Sequence, residues 1–192
     1  YYQNTPWYKS RDVLTSVIVS ESVTSIGSHA FDGCSKLNHL TLPGSMGLTA
    51  DTFANCKELS ELEFVGSGDM FDYSADESSA YYYKNVPWYF TRSATISVKL
   101  SDTATSIGDN TFRRSATLYS IEFPSSITSI GDHAFDMCTS LTELDFPASI
   151  TKFGEGAFYG SWEVHKMVFG GRLPTDVGKD CFKFNYRSGS ET

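Results

Sequence analysis

An eight-residue motif, TSIGxx[AT]F, returns along this chain at intervals that only a repeat architecture produces. It reads Thr24-Ser25-Ile26-Gly27-Ser28-His29-Ala30-Phe31, then Thr105-Ser106-Ile107-Gly108-Asp109-Asn110-Thr111-Phe112, then Thr128-Ser129-Ile130-Gly131-Asp132-His133-Ala134-Phe135. Weaker copies close on Phe53, Phe158 and Phe182, which makes six. From Phe112 onward the phenylalanines lie 23, 23 and 24 residues apart, and Phe31 to Phe53 is 22, inside the range of about 20–29 for leucine-rich units. An LxxLxL segment or its equivalent follows each of the first five copies: Leu37-Leu40-Leu42, Leu59-Leu62-Phe64, Leu118-Ile121-Phe123, Leu141-Leu144-Phe146 and Val164-Met167-Phe169.

A unit of this length cannot bury its own apolar face, so units must stack. The alternation within LxxLxL is the two-residue period of a strand with one buried face, and neighbouring strands would stand about 4.8 Å apart. Ile-Gly is expected to turn the chain and Ala-Phe to direct a ring inward. Pro43, Pro124 and Pro147 have no amide hydrogen for a sheet ladder and mark strand ends. The expected fold is a leucine-rich-repeat solenoid, mainly β with short turns and helical pieces, forming a right-handed curved stack of ~23-residue units without a deep pocket.

A longer period overlays the short one, because residues 1–43 align without a gap on residues 82–124, an offset of 81. Tyr1-Tyr2-Gln3-Asn4-Thr5-Pro6-Trp7-Tyr8 returns as Tyr82-Tyr83-Lys84-Asn85-Val86-Pro87-Trp88-Tyr89. The chain therefore reads as one solenoid over residues 1–192. It comprises a partial aromatic segment (1–16), a first repeat run (17–65), a complete aromatic segment (66–97), a second run (98–186) and a tail (187–192). Two copies depart from the motif, with Leu48-Thr49 where Ile-Gly is expected and Arg113-Arg114-Ser115 in place of small residues and cysteine. Local distortion is expected at both.

Composition narrows the function. Fifteen basic against 23 acidic residues give a net charge of −8, which argues against nucleic acid or an anionic membrane as partner. No run approaches the roughly 18 apolar residues of a membrane span. Tyr1 to Ser10 lacks the basic start and apolar centre of a signal peptide, and because the chain opens with Tyr rather than Met it reads as a processed or excised piece. Cys34, Cys56 and Cys138 each fall three residues after a repeat phenylalanine, where Ser115 and Ser161 stand in other copies. That is a slot for a small buried side chain, whereas a reactive thiol needs exposure and a nearby positive charge. Cys181 takes the Ala30/Ala134/Ala157 position and is also expected in the core. His29 and His133 share a turn position in copies far apart along the array, which does not build a zinc site. There is no Gly-rich phosphate loop after a strand and no GxSxG. No catalytic residue, metal or cofactor is expected.

The assembled unit, TSIGxxAFxxCxxLxxLxLP, resembles the BspA-like leucine-rich repeats, also called the Treponema pallidum type. The stretch Gly66-Ser67-Gly68-Asp69-Met70-Phe71-Asp72-Tyr73-Ser74, followed by Pro87-Trp88-Tyr89, is similar to the segment that introduces repeat runs in many bacterial members. The resemblance implies a secreted or cell-surface protein of host-associated bacteria or of some parasitic protists, with a role in adhesion to host matrix proteins, host cells or other microbes.

Two features could carry binding. The outward strand positions are His39 and Thr41, Glu61 and Glu63, Ser120 and Glu122, Glu143 and Asp145, Lys166 and Val168. Stacking would set Glu122 beside Asp145 with Glu143 near them, a solvent-facing acidic stripe. Paired carboxylates also serve glycosidases at separations of about 5–9 Å, but that chemistry needs a cleft that keeps one acid protonated, and an open repeat face gives little burial. The stripe of Glu61, Glu63, Glu122, Glu143 and Asp145 is therefore the expected ligand face of a non-enzymatic extracellular module that binds a host matrix or microbial surface protein. The alternative is a glycan-binding module that uses Trp88 with Tyr81, Tyr82, Tyr83 and Tyr89, set against the simpler expectation that a recurring tryptophan fills the core. A structural spacer is the third reading.

Overall fold

The structure, a computed structural model, describes residues 5, 7–73, 88 and 96–184. The sequence readings at Tyr1, Tyr2, Pro6, Tyr81, Tyr82, Tyr83, Pro87 and Tyr89 lie outside the described residues. In chain order the strands are β1 (Ser16–Ile18), β2 (His39–Pro43), β3 (Glu61–Val65), β4 (Gly68–Asp69), β5 (Ile96–Lys99), β6 (Ala104–Ile107), β7 (Leu118–Glu122), β8 (Ser129–Ile130), β9 (Glu143–Phe146), β10 (Lys152–Phe153), β11 (Lys166–Phe169) and β12 (Asp176–Val177). The LxxLxL strands form a parallel five-stranded sheet in the order β1-β2-β3-β5-β7 and a two-stranded continuation, β9-β11. Pairing is in register from rung to rung, with Leu40 opposite Leu62 and Leu62 opposite Val98. The fold is the expected leucine-rich-repeat solenoid.

Opposite this sheet runs a second parallel sheet, β4-β6-β8-β10-β12. The Ser-Ile and Lys-Phe pairs that build it precede the motif glycines, so the chain is extended up to each glycine and turns only after it. Stacking explains this. Once rungs lie in register each backbone amide must find a partner in the next rung, and Gly131, Gly154 and Gly178 donate to the carbonyls of Ile107, Ile130 and Phe153 at 2.8 Å each. The turn expected at Ile-Gly is thus displaced by one or two residues. Pro124 and Pro147 do follow strand ends, while Pro43 is itself the last residue of β2.

Between the sheets the rings form a column. Trp7 stacks on Phe31 (4.8 Å), Phe31 on Phe53 (5.4 Å) and Phe53 on Trp88 (6.0 Å). Farther along, Phe112, Phe135, Phe158 and Phe182 stack at 5.3, 5.0 and 5.5 Å. Trp88 therefore takes the phenylalanine place in the rung to which β5 belongs. That strand buries Ile96 and Val98 and crosses the boundary drawn at residue 97.

Each rung bends through left-handed residues. His29, Asn110, His133, Gly156 and Asp180 hold φ near +55° two places before the phenylalanine or its equivalent, and Gly33, Asn55, Arg114, Met137 and Gly160 hold positive φ two places after it. The expected distortion at Arg113-Arg114-Ser115 is absent. Asn110, Phe112 and Arg114 donate to the carbonyls of Asp132, Ala134 and Asp136, in step with His133, Phe135 and Met137 one rung on. The copy with Leu48-Thr49 does depart, since Asp51 is not left-handed and the Thr49 hydroxyl binds Asp51 (2.7 Å) and Thr52 (2.8 Å) instead. Thr49 stands in the glycine column, where a Cβ at Gly154 would come within 2.4 Å of the Asp132 backbone nitrogen, so this rung cannot follow the path of the others.

All four cysteines are buried and free. The Cys56 and Cys138 thiols donate to Phe31 O and Phe112 O at 3.3 and 3.0 Å, and the Ser161 hydroxyl makes the same bond to Phe135 O at 2.7 Å. A thiol and a hydroxyl are interchangeable in this slot. Burial pushes Cys34 up from 9.0 to about 11 and Cys56 and Cys181 to about 12. The folded protein holds these protons where the unfolded chain releases them, so the thiol contribution to stability is intact below pH 9.0 and falls as pH climbs toward about 11–12. Native protein at pH 8 is expected to resist a maleimide that labels all four thiols rapidly in denaturant. Fast native labelling would show that the slot is open.

Candidate ligand face

The in-register sheet places the outward side chains in two rows. Across β2, β3, β5 and β7 the first row is His39, Glu61, Ser97, Ser120 and the second is Thr41, Glu63, Lys99, Glu122. On β9 and β11, Glu143 faces Lys166 and Asp145 faces Val168. The acidic stripe expected from the sequence is interrupted, because β5, which straddles the boundary drawn at residue 97, inserts Lys99 between Glu63 and Glu122.

The face is a lattice of hydrogen-bonded and charged pairs. His39 Nδ1 lies 3.1 Å from Glu61 Oε2, Lys99 Nζ donates to Glu63 Oε1 at 3.2 Å, and Lys166 Nζ donates to Glu143 Oε2 at 2.7 Å. The Lys166 hydrogen bond and charge hold Glu143 below the usual carboxylate range, and Glu143 raises Lys166 in turn. A carboxyl pulled down in this way is the opposite of a general acid, which must stay protonated near neutral pH. Glu122 and Asp145 form no salt bridge among the described residues, although the Asp145 charge acts on Lys166 from a distance. They do not stand on hydrogen-bonded neighbours, since β7 pairs with β5 and β9 with β11.

A shallow hollow of about 290 Å³ opens where β3, β5 and β7 meet, bordered by His39, Glu61, Glu63, Lys99 and Glu122 over Ser97 and Ser120. It exists because two short serines adjoin in a row that is otherwise long, and the pairing is irregular at this point: Ile96 faces Leu118 while Ser97 faces Ser120, leaving Tyr119 as the extra residue. Such bulges re-aim side chains next to binding sites. Sequence reasoning missed Ser97 and Lys99, although the alternation of Ile96, Val98 and Leu100 marks a strand.

Trp88 is elsewhere. It is 3% exposed, stacked on Phe53 and edge-on to Phe64 at 6.2 Å, so its indole offers no face to a sugar. The expectation of Trp88 as a ligand residue gives way to the core role, for which Trp7 is the precedent at the other end of the period. His29 is occupied by Asp32 (3.2 Å) and Asp51 (3.0 Å), and no group of three metal-ligating side chains occurs among the described residues. No helix among them is long and apolar enough to cross a membrane.

Stacked parallel rungs, a ring column between two sheets and an open polar strand face define a leucine-rich-repeat scaffold. The chain matches the BspA type leucine rich repeat region in six copies over residues 5–82 and 87–188, and it belongs to that family. Among solved structures it is similar to a leucine rich cell surface protein of Faecalibacterium prausnitzii, with 24% identity, a TM-score of 0.50 and coverage of 83% of this chain and 40% of that one. It is also similar to the Treponema pallidum leucine rich repeat protein, at 18% identity and a TM-score of 0.47, covering 88% of this chain and 78% of the other. The chain thus spans 40% of the length of the F. prausnitzii protein. No curated protein sequence matches it.

Proposed function

We propose that this chain is a non-enzymatic interaction module of a secreted or cell-surface protein and that its strand face binds a host matrix or microbial surface protein. The observation that carries the reading is the face itself: five parallel strands, spanning about 20 Å at ~4.8 Å per step, of which β2, β3, β5 and β7 hold charged and polar side chains in two rows on a hydrogen-bonded backbone. A broad, rigid, shallow surface suits a protein partner, whose interface takes about 800 Å² per side. Membership of a repeat family with a cell-surface relative supports the location.

The test is a binding screen of the chain against extracellular-matrix proteins, with a glycan array in parallel. A saturable, salt-sensitive protein hit is expected, weakened at least tenfold by Glu122→Lys with Asp145→Lys, because reversing exposed charges disturbs steering and register. A glycan hit retained by the double variant would overturn the reading, and silence on both arrays would leave the chain as a spacer.

A further inference from the structure

We infer that the hollow over Ser97 and Ser120 is the anchor point of the strand face and that it receives an arginine side chain projecting from the protein partner. This rests on the preceding reading that the strand face binds protein. At about 290 Å³ the hollow sits just below the ~300–1,000 Å³ of small-molecule sites, yet it has room for one long side chain. Its rim carries Glu61, Glu63 and Glu122 against Lys99 and His39. Two of those carboxylates are already answered, Glu61 by His39 and Glu63 by Lys99. Glu122 forms no salt bridge among the described residues, so it is the carboxylate of the rim left open to an incoming cation.

An arginine answers that carboxylate better than a lysine. Its planar fork can give two parallel hydrogen bonds to one carboxylate and is less strongly hydrated than an ammonium. The short floor lets the side chain descend between Glu61 and Glu122, which stand two strands apart in different rows, roughly 12 Å corner to corner at ~4.8 Å per strand and ~3.4 Å per residue. Below the guanidinium, Ser97 already donates its hydroxyl to Ser60 O at 3.2 Å, so its oxygen is left to accept. Lys99 closes the Glu63 side, which confines a cation to the Glu122 side and gives the anchor a direction.

The experiment titrates the ¹⁵N-labelled chain with acetyl-Arg-Arg-Arg-amide and, separately, acetyl-Asp-Asp-Asp-amide. The arginine peptide is expected to shift the amides of Glu61, Ser97, Lys99, Ser120 and Glu122 saturably, and the aspartate peptide to leave them unmoved. Glu122→Gln, which preserves shape, is expected to weaken binding about tenfold, the loss of one charge-assisted bond. Ser120→Trp, which fills the hollow, is expected to abolish the shifts with the melting temperature retained. Shifts spread over the whole acidic surface, or shifts that survive both variants, would overturn the anchor, as would no shifts at all. A matrix-protein hit from the screen separates the two ideas: sensitivity to the Glu122 and Asp145 reversals with indifference to Ser120→Trp removes the anchor and leaves the strand face, and indifference to all of them removes both.

Discussion

Gly154→Ala is expected to destabilise the protein by about 3 kcal/mol or more, although it adds one methyl group. Gly154 does not have a positive φ, so alanine could adopt its backbone conformation, and by conformational entropy alone the substitution would be mildly stabilising. The cost is steric. A Cβ there would lie 2.4 Å from Asp132 N and 2.5 Å from Gly131 C. Those are backbone atoms of the preceding rung, which cannot swing aside as a flexible side chain would. Either the rungs separate, breaking the 2.8 Å bond from the Gly154 amide to Ile130 O, or the clash stays. Overpacking that forces side chains and backbone to shift typically costs about 1–3 kcal/mol and occasionally more, and contacts this short with backbone atoms place Gly154→Ala at the upper end. For a domain of this size that is a fall in melting temperature of about 6–12 °C.

The same motif supplies the control. Gly27 holds the equivalent place in the first TSIG copy, and no described atom lies within 4 Å of its built Cβ. Gly27→Ala is expected to stay within about 0.5 kcal/mol of the parent. Thermal melts of the two variants side by side decide the matter, because equal effects would mean that the glycine is required by its turn and not by the stacking of rungs.

What could be read in the sequence follows from the same distinction between what a rung needs alone and what stacking imposes. The phenylalanine, leucine and cysteine columns were legible because each recurs at the repeat interval and each is small or apolar in a place that must be buried: Phe53, Phe135, Leu40, Leu141 and Cys138 are all at 0% exposure. The second sheet was not, because strands of two residues such as Ser129–Ile130 are too short to display an alternation. β5 was hidden by spacing. Phe53 and Trp88 are 35 residues apart, well beyond the 22–24 of the other rungs, so the spacing alone reads the aromatic segment as an insertion and does not place its strand in the stack.

That omission also decided how much of the ligand face was legible. Which side chains point outward follows from the two-residue period, and Glu61, Glu63, Glu122, Glu143 and Asp145 were placed correctly on the solvent side. Which of them meet depends on which strands adjoin. The sequence spacing does not reveal β5, whose Lys99 the folded chain sets against Glu63. Trp88 shows the converse limit, since an aromatic repeat looks alike in sequence whether it is displayed or buried, and only the ring column distinguishes them.

Asp136→Ala is the second large effect, expected at about 3–5 kcal/mol, the cost of stranding a buried charge. Arg113 and Asp136 occupy the same place, one after the phenylalanine, in adjacent rungs. Arg113 Nε donates to Asp136 Oδ2 at 2.8 Å and a terminal nitrogen of the same guanidinium donates to Asn110 Oδ1 at 2.9 Å, with the two side chains 7% and 6% exposed. This pairing accounts for the undistorted rung at Arg113-Arg114-Ser115: the bulky cation is matched across the stack by a carboxylate, so the backbone need not move. Removing Asp136 takes away the carboxylate that Arg113 Nε binds at 2.8 Å and leaves the guanidinium buried without that ion pair. Removing both takes away the cation along with its partner, and the double variant Arg113→Ala with Asp136→Ala is expected to lose clearly less than the sum of the single losses, a coupling of about 0.5–3 kcal/mol. Urea unfolding of the four proteins in the cycle measures it. Strict additivity would mean that the two side chains are tolerated independently, and the regular path of this rung would then have to come from the backbone ladder alone.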